Sequence, residues 1–226
     1  MRVLVTGAAH GLGAAIARDL ADRGAELVLM DRDADGLAAF GGAQAIPVDL
    51  SDGDAAREAI ARVEGPVDAL IHNAAILRPE PVTAVSLQAF RETMAVGVEA
   101  GFLLAQAVWP GMVAKGGGAL VFVSSQSGIR GFADETAYCA AKHALEGLSK
   151  CLALEGAAHG IVSCTVTPGH AMHTPMSERN YPPELKATWI DPARLAPAFA
   201  AIVERRDPAW SGQRLNAWEM VQEEAA

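Results

Sequence analysis

Cysteine is scarce in this chain, and its three copies are poorly placed for structural work. Cys139, Cys151 and Cys164 form an odd set without a Cys-x-x-Cys pair or a histidine-rich neighbour, which excludes a disulfide framework and a structural zinc site as organising devices. Cys139 and Cys151 also fall in one helical stretch, where a rise of roughly 1.5 Å per residue sets them about 18 Å apart. Reduced, mostly buried thiols and no metal are expected. Positive charge is short as well: 18 Lys and Arg face 27 Asp and Glu, for a net charge of −9. That balance offers no basic stripe for nucleic acid. A long apolar leader is missing too, because Met1 to Val5 runs straight into a glycine cluster. It reads as a first strand, with no membrane attachment and a cytoplasmic location expected.

What is present is alternation. Short apolar runs recur at 3–5, 26–30, 45–48, 69–71, 119–123, 161–166 and 213–217, with helical periodicity between them at 13–23, 54–63, 87–113 and 136–158. This pattern predicts one α/β domain over residues 1–226, a doubly wound parallel sheet of about seven strands flanked by helices. No repeat or linker interrupts it, and Gly116-Gly117-Gly118 reads as a helix stop before a strand. The irregular stretch 172–192 holds Pro175, Pro182, Pro183 and Pro192 with Tyr181 and Trp189. It follows the carboxyl end of a strand, where open α/β sheets bind ligands, so a substrate-covering flap is expected there.

Two short motifs carry the chemistry. Thr6-Gly7-Ala8-Ala9-His10-Gly11-Leu12-Gly13 lies where the first strand becomes the first helix. Glycines there let backbone amides and a helix N-terminus approach a pyrophosphate. Asp31 ends the second strand, where a carboxylate accepts hydrogen bonds from ribose hydroxyls and repels a 2′-phosphate, which favours NAD over NADP. Arg32 and His10 work against that preference, since either could meet a phosphate. In the second motif, Tyr138 and Lys142 stand four residues apart and share a helix face, while Ser125 arrives from a strand end. An alcohol that loses hydride must also lose a proton, and a tyrosine near a cation can take it.

The glycine spacing, the Tyr138-Cys139-Ala140-Ala141-Lys142 string and the position of Ser125 together resemble the short-chain dehydrogenase/reductase family, with matches along nearly the whole chain. The resemblance implies a Rossmann-type fold and an alcohol–ketone oxidoreductase. It assigns Tyr138 as acid/base, Lys142 as pKa-lowering charge and ribose ligand, and Ser125 as donor to the substrate oxygen. It adds Asp49 and Leu50 at the adenine, Asn73, Ala74 and Ala75 after the fourth strand, and Pro168, Gly169, Ala171 and Thr174 at the nicotinamide. Gln126, His170 and His173 are expected at the substrate, with Ser127, Phe132, Tyr181 and Trp189 as further pocket candidates and Arg78 or Arg130 as possible carboxylate ligands.

Three departures stand out. Gly97 occupies the place of a helix asparagine that the family uses in a water-linked proton relay, and a glycine there would permit a local helix distortion. The Pro168 to Thr174 stretch is one residue too long, which makes His173 an alternative to Thr174. Trp218-Glu219 replaces a glycine pair near the C-terminus. Gly97 and the altered C-terminus motivate the rival reading of a catalytically silent NAD-binding regulatory or scaffold protein. The helix at 136–158 is apolar on more than one face, and the resemblance implies a homodimer or homotetramer.

Overall fold

The computed structural model describes residues 1–223. The expected domain runs to Ala226, and its last three residues lie outside the described ones. Seven parallel strands form one sheet: β1 (Arg2–Thr6), β2 (Glu26–Asp31), β3 (Gln44–Pro47), β4 (Ala69–His72), β5 (Gly118–Val123), β6 (Ile161–Thr167) and β7 (Arg214–Asn216), in the order 3-2-1-4-5-6-7. Order reverses between β1 and β4, where Val3 pairs with Ala69 and Thr6 with His72. Adjacent carboxyl ends diverge there and leave a crevice.

Helices cover both faces. On one side α1 (Gly11–Asp22) and α8 (Ala196–Arg205) pack against β1, β4 and β5 through Ile16, Leu20, Phe199 and Ile202, all fully buried. On the other, α3 (Gly53–Ala61), α5 (Ala100–Ala114) and α6 (Thr136–Gly156) close a second core around Leu4, Val28, Phe122 and Leu145, and α4 (Leu87–Met94) lies against α6. Full burial of each such side chain contributes roughly 1.5–3 kcal/mol. The short α2 (Ala34–Ala38) and α8 were not evident from periodicity. Ala, Pro and Phe of α8 bury so much of its surface that no polar face marks the period.

The expected helix at 87–113 is real but not uniform. Residues Ala95–Glu99 form a π turn between α4 and α5, centred on Gly97. Glycine carries no side chain to resist the wider turn, and π turns concentrate at functional sites. The run Leu87–Ala114 is long and apolar enough to span a bilayer by composition. Here Ala100, Leu104, Ala105 and Val108 pack it onto the sheet. The stretch after β6 forms α7 (Pro175–Asn180) and a 3₁₀ turn (Pro183–Thr188), returning to the body through a parallel bridge between Met172 and Ile190. The chain ends in α9 (Ala217–Glu223).

Candidate active site

The crevice opens into two adjoining hollows. The first is lined by Gly7, His10, Asp31, Arg32, Asp49, Leu50, Ala74 and Ala75, with α7 as its roof. Backbone shape is set by the glycine loop. Gly11 takes a left-handed φ of 53°, and a Cβ on Gly13 would run into the Gly7 carbonyl. This bare cradle, beside a helix N-terminus, fits a dinucleotide's pyrophosphate.

Side chains clamp the loop from below. Asn73 Nδ2 donates to the carbonyls of Thr6 and Gly7 at 3.2 and 3.1 Å. Thr6 Oγ1 accepts from the amides of Asn73 and Ala74, both at 3.1 Å. Asp31 accepts from the Ala9 and Asp33 amides at 3.0 Å each, which fixes its carboxylate at the rim with lone pairs to spare. Asp49 accepts from the amide of Ser51, and that bond holds its carboxyl below the usual range. His10 is tied to Asp33 at 2.6 Å. Leu12 is buried at the start of α1 and lines the second hollow.

The second hollow brings together Ser125, Gln126, Tyr138, Lys142, Pro168, Gly169, His170, Ala171 and Thr174, and Tyr181, Leu185 and Trp189 close its outer side. Ser125 follows β5 in extended conformation and its Oγ accepts from the Ser127 amide at 3.2 Å. Tyr138 and Lys142 descend from α6 one turn apart. Burial pushes the Tyr138 phenol above its ordinary pKa, against a lowering hydrogen bond with Ser125. Lys142 is fully enclosed, and burial drives its ammonium down to about 8, with Glu146 pulling the other way. Its Nζ donates to the Val123 carbonyl at 2.6 Å and sits 5.4 Å from the centre of the Tyr138 ring. The expected lowering of Tyr138 by Lys142 is therefore not what the protein alone produces, because desolvation dominates.

Not every expected residue converges. His173 turns away from the hollow, against Glu178 at 3.5 Å and the Trp189 ring at 5.4 Å. Thr174, which caps α7 through the Ser177 amide, is the residue that sits over Gly11. Of the two alternatives, Thr174 lines the hollow, whereas His173 lies against Glu178 and Trp189. Phe132 and Arg130 are exposed outside the hollow, and Ser127 is buried beneath it on Glu135. Arg78 pairs with Glu92 at 2.7 Å and lines the first hollow instead. Trp218 rests on His170, ring centres 4.9 Å apart, and the Arg194 guanidinium lies 4.8 Å from the same indole.

His72 escaped sequence reasoning. It is buried between Thr6, Phe122 and Gly101, and burial lowers its pKa to about 4. Thr6 Oγ1 already accepts two amides, so its single hydrogen must go to His72 Nδ1, 3.0 Å away. The ring is then neutral with its proton on Nε2, which faces the Val96 and Gly97 carbonyls of the π turn without a hydrogen bond. A Cβ at Gly101 would lie 2.9 Å from the ring. A Cβ at Gly97 would lie 3.2 Å from the Ala141 methyl, so a side chain there would need Ala141 to give by a few tenths of an ångström.

A family model described as short chain dehydrogenase matches residues 1–184. D-threitol dehydrogenase of Mycolicibacterium smegmatis is 36% identical over 73% of this chain and 68% of its own. Human L-xylulose reductase is 38% identical over 84% and 76% respectively. Among solved structures, a putative NAD(P)-dependent gluconate 5-dehydrogenase from Beutenbergia cavernae with bound NADP superposes with a TM-score of 0.84 at 29% identity, covering 96% of this chain and 94% of that one. A 3-ketoacyl-(acyl-carrier-protein) reductase from Brucella melitensis complexed with NADH gives 0.87 at 25% identity, covering 95% of each.

Proposed function

The chain belongs to the short-chain dehydrogenase family, and on that premise we propose that it interconverts a secondary alcohol and its ketone on a small polyhydroxylated substrate, with NAD as hydride carrier. One observation carries the reading: Ser125, Tyr138 and Lys142 meet in a hollow continuous with the glycine-loop groove. Ser125 donates to the substrate oxygen. In the reducing direction Tyr138, whose proton burial retains, delivers it to the alkoxide that develops on that oxygen. In oxidation Tyr138 must first give its own proton to solvent, and its phenolate oxygen, favoured by the nearby Lys142 ammonium, then takes the proton of the substrate hydroxyl. NAD supplies the hydride chemistry when bound.

Asp31 supports NAD over NADP, because its fixed carboxylate lines the groove where a ribose would lie and would repel a 2′-phosphate. A polyol or sugar substrate is supported by two relatives of that kind and by the lining itself. Gln126 and His170 offer polar edges, while Tyr181 and Trp189 offer flat walls on the 172–192 flap. The flap closes over the substrate in this reading. A cytoplasmic homodimer or homotetramer goes with it, supported by Phe102 on α5 and Leu154 on α6, which stay 44% and 81% exposed.

NADH formation with tetritols, pentitols and ketose–polyol pairs tests the reading, with Tyr138→Phe alongside and NAD and NADP dissociation constants for both proteins. Wild type should turn over, Tyr138→Phe should lose about a hundredfold or more in kcat, and both should bind NAD more tightly than NADP. Equal turnover by Tyr138→Phe would overturn the role, and tighter NADP binding would overturn the cofactor preference.

A further inference from the structure

Val123 at the end of β5 and the two residues after it, Ser124 and Ser125, are each held by a different charged side chain. Lys142 donates to the Val123 carbonyl, the Ser124 hydroxyl donates to Glu146 Oε1, and Arg214 Nη2 donates to the Ser125 carbonyl at 3.0 Å. The last two are joined, since Arg214 Nε also donates to Glu146 Oε1 at 3.2 Å. Thr165 on β6 donates to Glu146 Oε2 at 2.7 Å. Glu146 is 8% exposed and the Arg214 side chain 22%. A continuous polar path thus runs from β7 at the sheet edge, past β6, to the main chain of the residue that presents the Ser125 hydroxyl.

We propose that Arg214 and Glu146 form a positioning unit for Ser125, in which the guanidinium fork fixes the serine's backbone and the carboxylate fixes the fork. The geometry requires a fork. Nε of Arg214 reaches Glu146 while Nη2 reaches the Ser125 carbonyl, and a lysine's ammonium, though it carries three donors, lacks the rigid planar spacing that holds both at once. The carbonyl matters because Ser125 is the turning point between β5 and the 3₁₀ turn Gln126–Gly128. Rotation of that peptide would swing the hydroxyl away from Tyr138. Glu146 has a second consequence. It lies one turn beyond Lys142 on α6 and is the carboxylate that supports the buried ammonium. The other groups facing Lys142 are the Tyr138 ring on the same helix and neutral His72 on β4, and neither offers a compensating negative charge.

The role of Ser125 is taken from the proposed function, so the experiment separates the two. Hydrogen exchange is measured on wild type and on Arg214→Met, Arg214→Lys and Glu146→Gln, beside kcat, KM, NAD affinity and the pH dependence of kcat. Exchange in residues 124–128 should quicken several-fold in Arg214→Met while the glycine loop is unchanged, whether or not a substrate has been found. With substrate, kcat should fall about thirtyfold in Arg214→Met and about fivefold in Arg214→Lys, because small misplacements of a reacting group are costly. NAD affinity should stay within about twofold, since neither variant touches the groove. Glu146→Gln should move the alkaline limb of the kcat profile to lower pH, as Lys142 loses its carboxylate.

Unchanged exchange at 124–128 would overturn the proposal. So would a kcat within about twofold of wild type in Arg214→Met, or equal losses in kcat, NAD affinity and melting temperature that mark a general structural role. A silent wild type with the predicted exchange pattern would count against the dehydrogenase reading and leave the positioning unit standing. An active wild type, a dead Tyr138→Phe and an unaffected Arg214→Met would count against the positioning unit alone.

Discussion

The glycine-loop cradle of the groove beside β1 is walled by backbone, whereas the far end of the site, beyond β6, is walled by side chains that come from distant parts of the chain. In the groove, Gly13 leaves the space that the Gly7 carbonyl occupies, Asn73 binds the carbonyls of Thr6 and Gly7, and Thr6 Oγ1 accepts from the amides of Asn73 and Ala74. At the far end, Arg214 crosses from β7 to the Ser125 carbonyl, and Trp218 packs on His170. The difference teaches where each kind of damage should appear. Backbone walls fail all at once, while side-chain walls fail one contact at a time.

The sharpest way to break that contrast is Gly13→Ala. Its methyl would overlap the Gly7 carbonyl, which is backbone and held by Asn73, so nothing nearby can yield cheaply. We expect a loss of roughly 3 kcal/mol or more, at the upper end for overpacking, together with loss of NAD binding. Chemical denaturation and an NAD titration check it. A stable Gly13→Ala protein that binds NAD normally would show that the groove tolerates change like any side-chain wall.

The same contrast explains what could be read in advance. Periodicity and turn residues report local backbone, so the seven strands, the glycine loop and the Ser125, Tyr138 and Lys142 set were all legible. Gly97 hinted at a distortion and the π turn at Ala95–Glu99 is that distortion. Arg214 was not legible, because nothing in Gly212-Gln213-Arg214-Leu215 says that a guanidinium will meet a glutamate 68 residues earlier. His72 was hidden for a related reason: its state follows from Thr6, 66 residues away, being saturated as an acceptor. His173 was misplaced because chemical type alone said pocket, while local charge and an aromatic neighbour turn it to Glu178 and Trp189.

Between the two regions lies Lys142, where function and stability should pull apart. Its ordinary pKa of 10.5 falls to about 8 in the fold, mainly through burial. A folded-state value below the unfolded one means that the charged form opposes folding. That cost is full below about pH 8 and fades as pH rises toward 10.5. Lys142→Met should therefore raise stability near neutral pH by roughly 1 to 3 kcal/mol, the lowered pKa at about 1.4 kcal/mol per unit less a lost hydrogen bond of about 1 kcal/mol, because Ser124, Thr165 and Arg214 keep Glu146 partnered. Turnover should be lost. The gain should shrink between pH 8 and 10.5, and denaturation curves across that window would show it. A destabilised Lys142→Met would mean that the Val123 bond and Glu146 outweigh the desolvation of the ammonium.

The smallest effect is expected at Trp218, and it tests the side-chain wall on its own terms. The indole is fixed by its own backbone, whose amide donates to the Pro168 carbonyl at 3.2 Å and to Asn216 at 3.1 Å. It contacts both the His170 ring and the Arg194 guanidinium. Aromatic and cation–π contacts of this kind contribute about 1 kcal/mol each. Trp218→Ala should let the His170 ring move while α9 and β7 stay in place, because the main-chain bonds remain. Substrate KM should then rise about three- to tenfold, with NAD affinity and kcat nearly unchanged, as for a loss of ground-state contact alone. Steady-state kinetics separate the terms. If kcat falls as well, the His170 wall orients the reacting carbon rather than merely holding the substrate, and the far end of the site would then be as exacting as the glycine loop.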